Sequence, residues 1–351
     1  MLDKDIIAQF GFSQIKNVTS LSTGLINNSF AIECNDGNDI LLQQINTSIF
    51  LHPENIQSNY ELIFNHFNNI GSYQLPRIIK TIDGQNLLRH NGATWRCFEY
   101  MQNTYSPLTA HTPEEAYIVA KCFGKFSADL STIEKNKLHY VLPGFHNLSL
   151  RFEQFESALS NTTKQRKVNV EDLIDLAYAN HKYVKWFKSI TQKPDQYPLH
   201  ILHQDCKIAN ILFFHDNPTK LCPIDLDTTQ PGLFFSDIGD MVRSMVPNIS
   251  ENDTDIDSME LRIDFYEAIK SGYMESMSDY LTKEELNDID LSGNIIIYMQ
   301  ALRFLTDFLN GDIYYKTSYS GQNKDRAKNQ FKLLQLLQTY QQKVKAKITI
   351  D

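Results

Sequence analysis

The chain lacks most of the features that would place it outside ordinary globular enzymes. Its five cysteines, Cys34, Cys97, Cys122, Cys206 and Cys222, are dispersed and odd in number, and none has the paired spacing of a metal site. A reducing, cytoplasmic setting is therefore expected. No long apolar run is present: the chain opens Met1-Leu2-Asp3-Lys4-Asp5, and the Ile6-Ile7-Ala8 run behind it is far shorter than a signal or membrane segment. No export, anchoring or membrane partner is expected. Basic residues are not in excess, 33 Lys and Arg against 42 Asp and Glu, and the net charge of -9 argues against a nucleic-acid surface. Internal repeats and low-complexity tracts are also missing. What is present is 42% apolar residues in 351, enough to fill one large domain or two.

The most informative stretch is His203-Gln204-Asp205-Cys206-Lys207-Ile208-Ala209-Asn210, followed by Ile224-Asp225-Leu226-Asp227. Ile211 to Phe214 and Leu221 to Ile224 are short apolar runs flanking His215-Asp216-Asn217-Pro218-Thr219-Lys220, a polar segment that reads as a hairpin loop. Symmetric pairing brings Asn210 and Asp225 together at the open end, with Asp205 on the loop entering the first strand. One hairpin thus gathers a carboxylate for a nucleophile and an amide plus a second carboxylate for a divalent cation. Magnesium takes one or two such protein oxygens and fills its shell from phosphates and water.

This pattern resembles the catalytic and metal-binding loops of protein-kinase-like phosphotransferases. The short His-x-Asp form is similar to that of the aminoglycoside phosphotransferase and choline kinase group. Within it, "HQDCKIANILF" and "PIDLDTTQPGLFFSDIGDMVRS" most resemble the N-acetylhexosamine 1-kinases. The resemblance implies Asp205 as base, Asn210 and Asp225 as metal ligands, ATP and Mg as cofactors, and a sugar acceptor phosphorylated at its anomeric hydroxyl. It also implies an α+β, bilobal protein-kinase-like fold: a small antiparallel-sheet lobe at 1–101, a linker at 102–111, and a larger, mainly helical lobe at 112–351. A monomer or weak dimer is expected.

Several N-terminal residues are candidates for holding the nucleotide. Gly24, Asn27 and Asn28 lie between β-prone runs, in a hairpin whose backbone N–H groups would cover phosphates or form a plain turn. The next strand, Asp39 to Ile45, stands where protein kinases carry a phosphate-binding lysine; here it offers Gln43 or Gln44, an uncharged donor or simply an exposed strand residue. Glu61, on the amphipathic segment Pro53 to Phe67, has no lysine to pair with and is left out of the site. Strands are expected at Arg77 to Thr81, Asn86 to His90 and Trp95 to Tyr100, and the backbone from Phe98 to Met101 is the candidate adenine contact.

From Thr112 the pattern turns helical. Thr112-Pro113-Glu114-Glu115 and Thr282-Lys283-Glu284-Glu285 are helix-start signals. The spans 170–190, 261–280, 292–309 and 324–345 read as helices. His146, Asn147 and Arg151 follow a Pro-Gly loop that resembles a segment of the hexosamine kinases and is a candidate acceptor contact. Asp237 resembles the acid that holds the catalytic loop's backbone in this superfamily. Arg243 reaches phosphate or sugar, or sits on a helix surface. Gln300, Arg303, Asp307 and Asn310 line one helix face, as an i,i+4 ion pair on a solvated stripe or as a sugar-binding wall with Tyr314 or Tyr315 covering a ring.

Other readings compete. Asp225-Leu226-Asp227-Thr228-Thr229 also matches the nucleophile motif of haloacid-dehalogenase-type phosphatases, which leaves His203 to Asn210 unexplained. A nucleotide-binding pseudokinase would explain the missing lysine, against the intact Asp205, Asn210 and Asp225. Kinases of aminoglycosides, choline or other small alcohols share the same loop.

Overall fold

Period-two alternation builds the first sheet. Ile32 and Cys34, Ile40 and Leu42, and Trp95 and Cys97 share one core cluster, to which the short helix Lys4–Ala8 contributes Ile6 and Ile7. The computed structural model describes residues 2–21 and 26–348. Its six-stranded sheet runs Ile15–Leu21, Asn28–Cys34, Ile40–Ile45, Ala93–Glu99, Ile78–Ile79, with Leu88–His90 also on Ala93–Glu99. Every one of these pairings is antiparallel, as expected for the small lobe. Helix Pro53–Ile70 starts on a proline, ends on left-handed Gly71 and buries Ile56, Tyr60, Ile63 and Phe67.

The chain divides into two compact units, one of Met1–Pro107, Thr132–Pro143 and Ala209–Gln230, the other of Leu108–Ser131, Gly144–Ile208 and Pro231–Asp351. Two buried amides hold the first unit's separate segments together. Asn59 donates to the carbonyls of His139 (2.9 Å) and Thr229 (3.3 Å) and accepts from His139 N (2.8 Å). Gln230 both donates to and accepts from the Leu142 backbone, each at 3.0 Å. Thr104–Tyr105, inside the expected linker, pairs with Phe213–Phe214 as a short strand.

The second unit is helical. Thr112 caps Pro113–Asp129 by accepting from Glu115 N, but the Glu115 carboxylate reaches back to His111 N (2.7 Å), one residue before the cap. Thr282 and Glu285 make the full reciprocal box. The span expected as one helix over 170–190 is two, Glu171–Ala179 and Lys182–Thr191. They break at Asn180, whose side chain bonds the Leu176 carbonyl (2.9 Å) and accepts from Gln338 (2.8 Å). Helix Leu148–Asn161 was not anticipated; Asn147, read as an acceptor contact, is its N-cap and accepts from Leu150 N at 3.0 Å. The largely buried helix Ser292–Asn310 packs against Leu148–Asn161, Phe235–Met245 and Gln322–Ile348.

Pro113–Asp129 and Ile263–Met277 pack closely enough that backbone meets backbone. A Cβ on Gly272 would overlap the Tyr117 carbonyl, and one on Gly124 would stand 3.0 Å from the Tyr273 carbonyl. Gly272→Ala forces the two helices apart. It is expected to destabilise the protein by about 1–3 kcal/mol, measured as a lower urea midpoint.

Candidate active site

In the first unit the hairpin forms from Ile211–Phe214 and Asn217–Pro223. Ile211 pairs with Pro223 and Phe213 with Leu221, and an irregularity between Asn217 and Leu221 absorbs the extra residues. Ile224 N donates to Asn210 O (2.9 Å), so Asn210 faces Ile224 and Asp225 comes one residue later than symmetric pairing gives. Asp225 itself takes a left-handed conformation (φ 60°), one that Asp tolerates better than most residues. Its side chain is exposed, whereas Asn210 is 4% exposed. Among the described residues no three His, Cys, Asp or Glu side chains gather as a metal cage. A carboxylate and an amide at the open end of one hairpin suit a hard cation that draws its other ligands from phosphate and water.

Asp227 is buried, and its carboxylate pairs with the Arg96 guanidinium (2.7 and 2.8 Å) and accepts from the Asn27 amide (2.8 Å). Asn27 also accepts from Asn46 N at 3.0 Å, so both ends of its amide are engaged within the protein. Gln43 accepts from Arg96 Nε (3.0 Å) and donates to Ser29 (2.9 Å), while Gln44 accepts from the exposed Asn28 at 3.1 Å. Phe98 lies inside the sheet between Leu41 and Ile78, with its ring on Tyr60. The Met101 carbonyl accepts from Thr104 Oγ1 (2.7 Å). Glu61 takes the Asn86 amide. Gly24 lies outside the described residues. Arg96 and Asp227 were not singled out as a pair from sequence. The strand register, which sets Arg96 opposite Gln43, is what brings the pair to light.

The second unit carries Asp205. His203 is fully buried, edge-on to Phe123 and Phe126, and its Nδ1 accepts from Asp205 N at 3.3 Å. Asp237, in the first turn of Phe235–Met245, accepts from His203 N (3.2 Å), Gln204 N (2.7 Å) and Ser127 Oγ (3.0 Å), the backbone-holding role expected of it. Burial pushes its carboxyl above the usual range, while His203 and these donors pull the other way. Gln204 is left-handed (φ 66°), which turns the chain into Asp205. Lys207 Nζ stands 3.1 Å from the partly exposed Asp205 carboxylate. Neither Lys207 nor Asp240 was picked out from sequence. Asp240 is buried and paired with Arg243 at 2.8 Å; burial raises its carboxyl, and the Asp205 charge raises it further. Arg243 also holds Glu251 (2.8 Å): burial works against its charge, and the two carboxylates outweigh that and strengthen it.

Arg303 does not pair with Asp307. That carboxylate accepts from Ile313, Tyr314 and Tyr315 N (3.0, 2.8 and 2.9 Å) and from the Asn323 amide (2.9 Å), pinning the loop that follows left-handed Gly311. Arg303 donates to Gln300 (3.0 Å) and lies over the rings of Phe145, Tyr314 and Tyr315, 5.2, 5.9 and 5.6 Å from their centroids. Arg151 bonds the Phe145 carbonyl and Gln154; burial, with Arg303 adding to it, lowers its guanidinium to about 10. Among the described residues no carboxylate pairs with either arginine. His146 stacks on Phe145, and its Nδ1 is buried without a partner. Burial holds His146 well below the usual histidine range; Arg303, Arg151 and Arg243 push the same way, and Asp205 opposes them. The structure therefore gathers Arg151, Arg303, Tyr314 and Tyr315 about His146, and employs Asn147, Arg243 and Asp307 in holding the surrounding backbone and charges.

Solved structures share this fold. An aminoglycoside phosphotransferase from Alicyclobacillus acidocaldarius superposes with a TM-score of 0.64 at 12% identity, covering 99% of this chain and 97% of its own. A microcompartment-associated aminopropanol kinase gives 0.61 at 16% identity, covering 97% and 98%. A choline kinase from Cryptosporidium parvum gives 0.55 at 16% identity, covering 99% and 98%. The antiparallel sheet and helical remainder are thus those of the protein-kinase-like phosphotransferase fold. In sequence, residues 17–273 match the phosphotransferase enzyme family. Because that match takes in most of the chain, the protein belongs to the phosphotransferase enzyme family.

Proposed function

We propose that this phosphotransferase uses ATP and magnesium to phosphorylate a hydroxyl of a sugar. By its resemblance to the hexosamine kinases, that hydroxyl is the anomeric one of an N-acetylhexosamine and the product a sugar 1-phosphate. The observation that carries the sugar reading is the pair Arg151 and Arg303, guanidinium groups without carboxylate partners among the described residues, beside His146, whose charged form burial and these arginines disfavour. The similar proteins of known structure are kinases of an aminoglycoside, aminopropanol or choline. Those compounds carry positive charge at neutral pH, which two uncompensated arginines repel. A neutral polyol meets planar donors suited to its oxygens and, in Tyr314 and Tyr315, aromatic faces suited to its ring.

In this reading Asp205 accepts or orients the proton of the acceptor hydroxyl. Lys207 Nζ stands 3.1 Å from its carboxylate. Asp237 fixes the backbone ahead of it through His203 N and Gln204 N. Asn210 and Asp225 would hold magnesium, which supplies countercharge to the nucleotide phosphates when bound. Gly24, Asn28 and the backbone at Met101 remain the proposed nucleotide contacts. Asn27, Gln43 and Phe98 act behind them, through the hydrogen bonds and packing described above. His146 and Tyr314 would contact the sugar.

The decisive assay is ADP release with ATP and magnesium across hexosamines, neutral hexoses, aminoglycosides and choline. Turnover is expected with the N-acetylhexosamines; turnover confined to the amine-bearing acceptors refutes the sugar reading. Asp205→Asn is expected to lower kcat by about 10²–10⁴-fold while nucleotide binding survives; wild-type turnover would remove Asp205 from the base role. Arg303→Met is expected to raise the acceptor KM by about 10–100-fold with a smaller change in kcat. Steady-state kinetics with the acceptor varied at saturating ATP measures the split.

A further inference from the structure

The Ile40–Ile45 strand carries no lysine, and the question is what performs that residue's work. Ser29, Gln43 and Arg96 stand directly opposite one another across three strands, Ser29 against Gln43 and Gln43 against Arg96. They share the sheet face away from Leu42, Trp95 and Cys97. Their side chains form a continuous chain of hydrogen bonds, from Gln43 Nε2 to Ser29 Oγ (2.9 Å) and from Arg96 Nε to Gln43 Oε1 (3.0 Å). Beyond Arg96 the chain ends on Asp227, gripped at both carboxylate oxygens and also held by Asn27. Arg96 is 2% exposed and Asp227 3%.

We propose that Arg96 is a positioning residue: through Asp227 it fixes Asp225, two residues earlier in the chain, where it holds the divalent cation with the nucleotide. The inference rests on the reading of Asp225 and Asn210 as cation-holding residues. A strand lysine of the protein-kinase kind supplies phosphate countercharge and also takes part in an ion pair that ties elements together. Here the tie has moved to Arg96 on the neighbouring Ala93–Glu99 strand, and its partner is the acid at 227 rather than the helical Glu61, which bonds Asn86. The countercharge has not moved with it, because the Arg96 charge is neutralised by a buried carboxylate. Gln43 sets the rotamer of Arg96, and Asn27 completes the shell of Asp227. The effect passes from Asp227 to Asp225 through the short stretch of backbone between them; groups that hydrogen-bond a metal ligand directly are worth about 10–100-fold in metal affinity and set the scale.

The test is nucleotide binding by calorimetry, with AMP-PNP titrated in the presence and absence of magnesium. In Arg96→Met/Asp227→Asn no charge is left buried alone, so the variant is checked first for a wild-type melting temperature. Expected is a loss of at least about tenfold in magnesium-dependent affinity, with metal-free binding changed less than about twofold. A general structural defect would lower both. Equal magnesium-dependent affinity in the folded double variant and the wild type overturns the proposal. Should that variant not fold, Gln43→Met, which unseats Arg96 without removing a charge, carries the same comparison. A selective loss of magnesium-dependent affinity supports the tie, and unchanged affinity overturns it. Wild-type protein that binds nucleotide no better with magnesium than without refutes the cation site itself, a result distinct from either.

Discussion

Everything around Asp205 depends on one buried carboxylate. Asp237 is fully buried at the start of a helix, where the helix dipole favours its charge, and it spends both oxygens on the backbone N–H groups of His203 and Gln204 and on Ser127. Taking a carboxylate out of water is costly, and the cost is offset only when the donors around it are fixed. The loop is therefore held as firmly as the helix it leans on. His203, wedged between Phe123 and Phe126, adds a second restraint by accepting from Asp205 N. Asp205 thus projects from a backbone whose position is set by buried groups that take no part in the chemistry.

The two units handle charge in opposite ways. In the first, the buried cation is matched by a buried anion, Arg96 with Asp227, while Asp225 is exposed. In the second, Arg243 is doubly matched by Asp240 and Glu251, while among the described residues Arg151 and Arg303 hydrogen-bond neutral groups, and Arg303 lies over aromatic rings. A guanidinium tolerates such surroundings because it is planar, weakly hydrated and stacks on ring faces. The outcome is a positive region built on a protein whose net charge is -9. Local arrangement, not overall composition, decides what such a region attracts.

Local signals were legible in the sequence and distant ones were not. The helix starts at Thr112 and Thr282, the antiparallel strands and the hairpin after Asn210 depend on neighbours a few residues away, and they appear as expected except that the hairpin pairs one residue off the symmetric register. The break at Asn180 escaped because an apolar period continues across it, while a side chain from the last helix, Gln338, rewards the interruption. Asp307 looked like the partner of Arg303 by its i,i+4 position. The turn at Gly311 instead folds three N–H groups back onto it, and three fixed donors outweigh one solvated ion pair. Arg96 became visible only with the strand register. Its place beside Gln43 follows from pairing, and its union with Asp227 joins residues 131 positions apart.

Two of the left-handed non-glycine residues, Gln204 and Asp225, bear on how this sequence can change over time. Side chains with a branched β-carbon fit that backbone poorly, and only glycine, asparagine and aspartate enter it with ease. At position 225 the backbone and the proposed cation demand overlapping sets: of the residues that suit the turn, only aspartate also brings a carboxylate. At 204 the side chain is buried against Gly232, and the proposed cation makes no demand on it. Drift is therefore open at 204, toward glycine or asparagine, and closed at 225, where two unrelated constraints converge on the same amino acid.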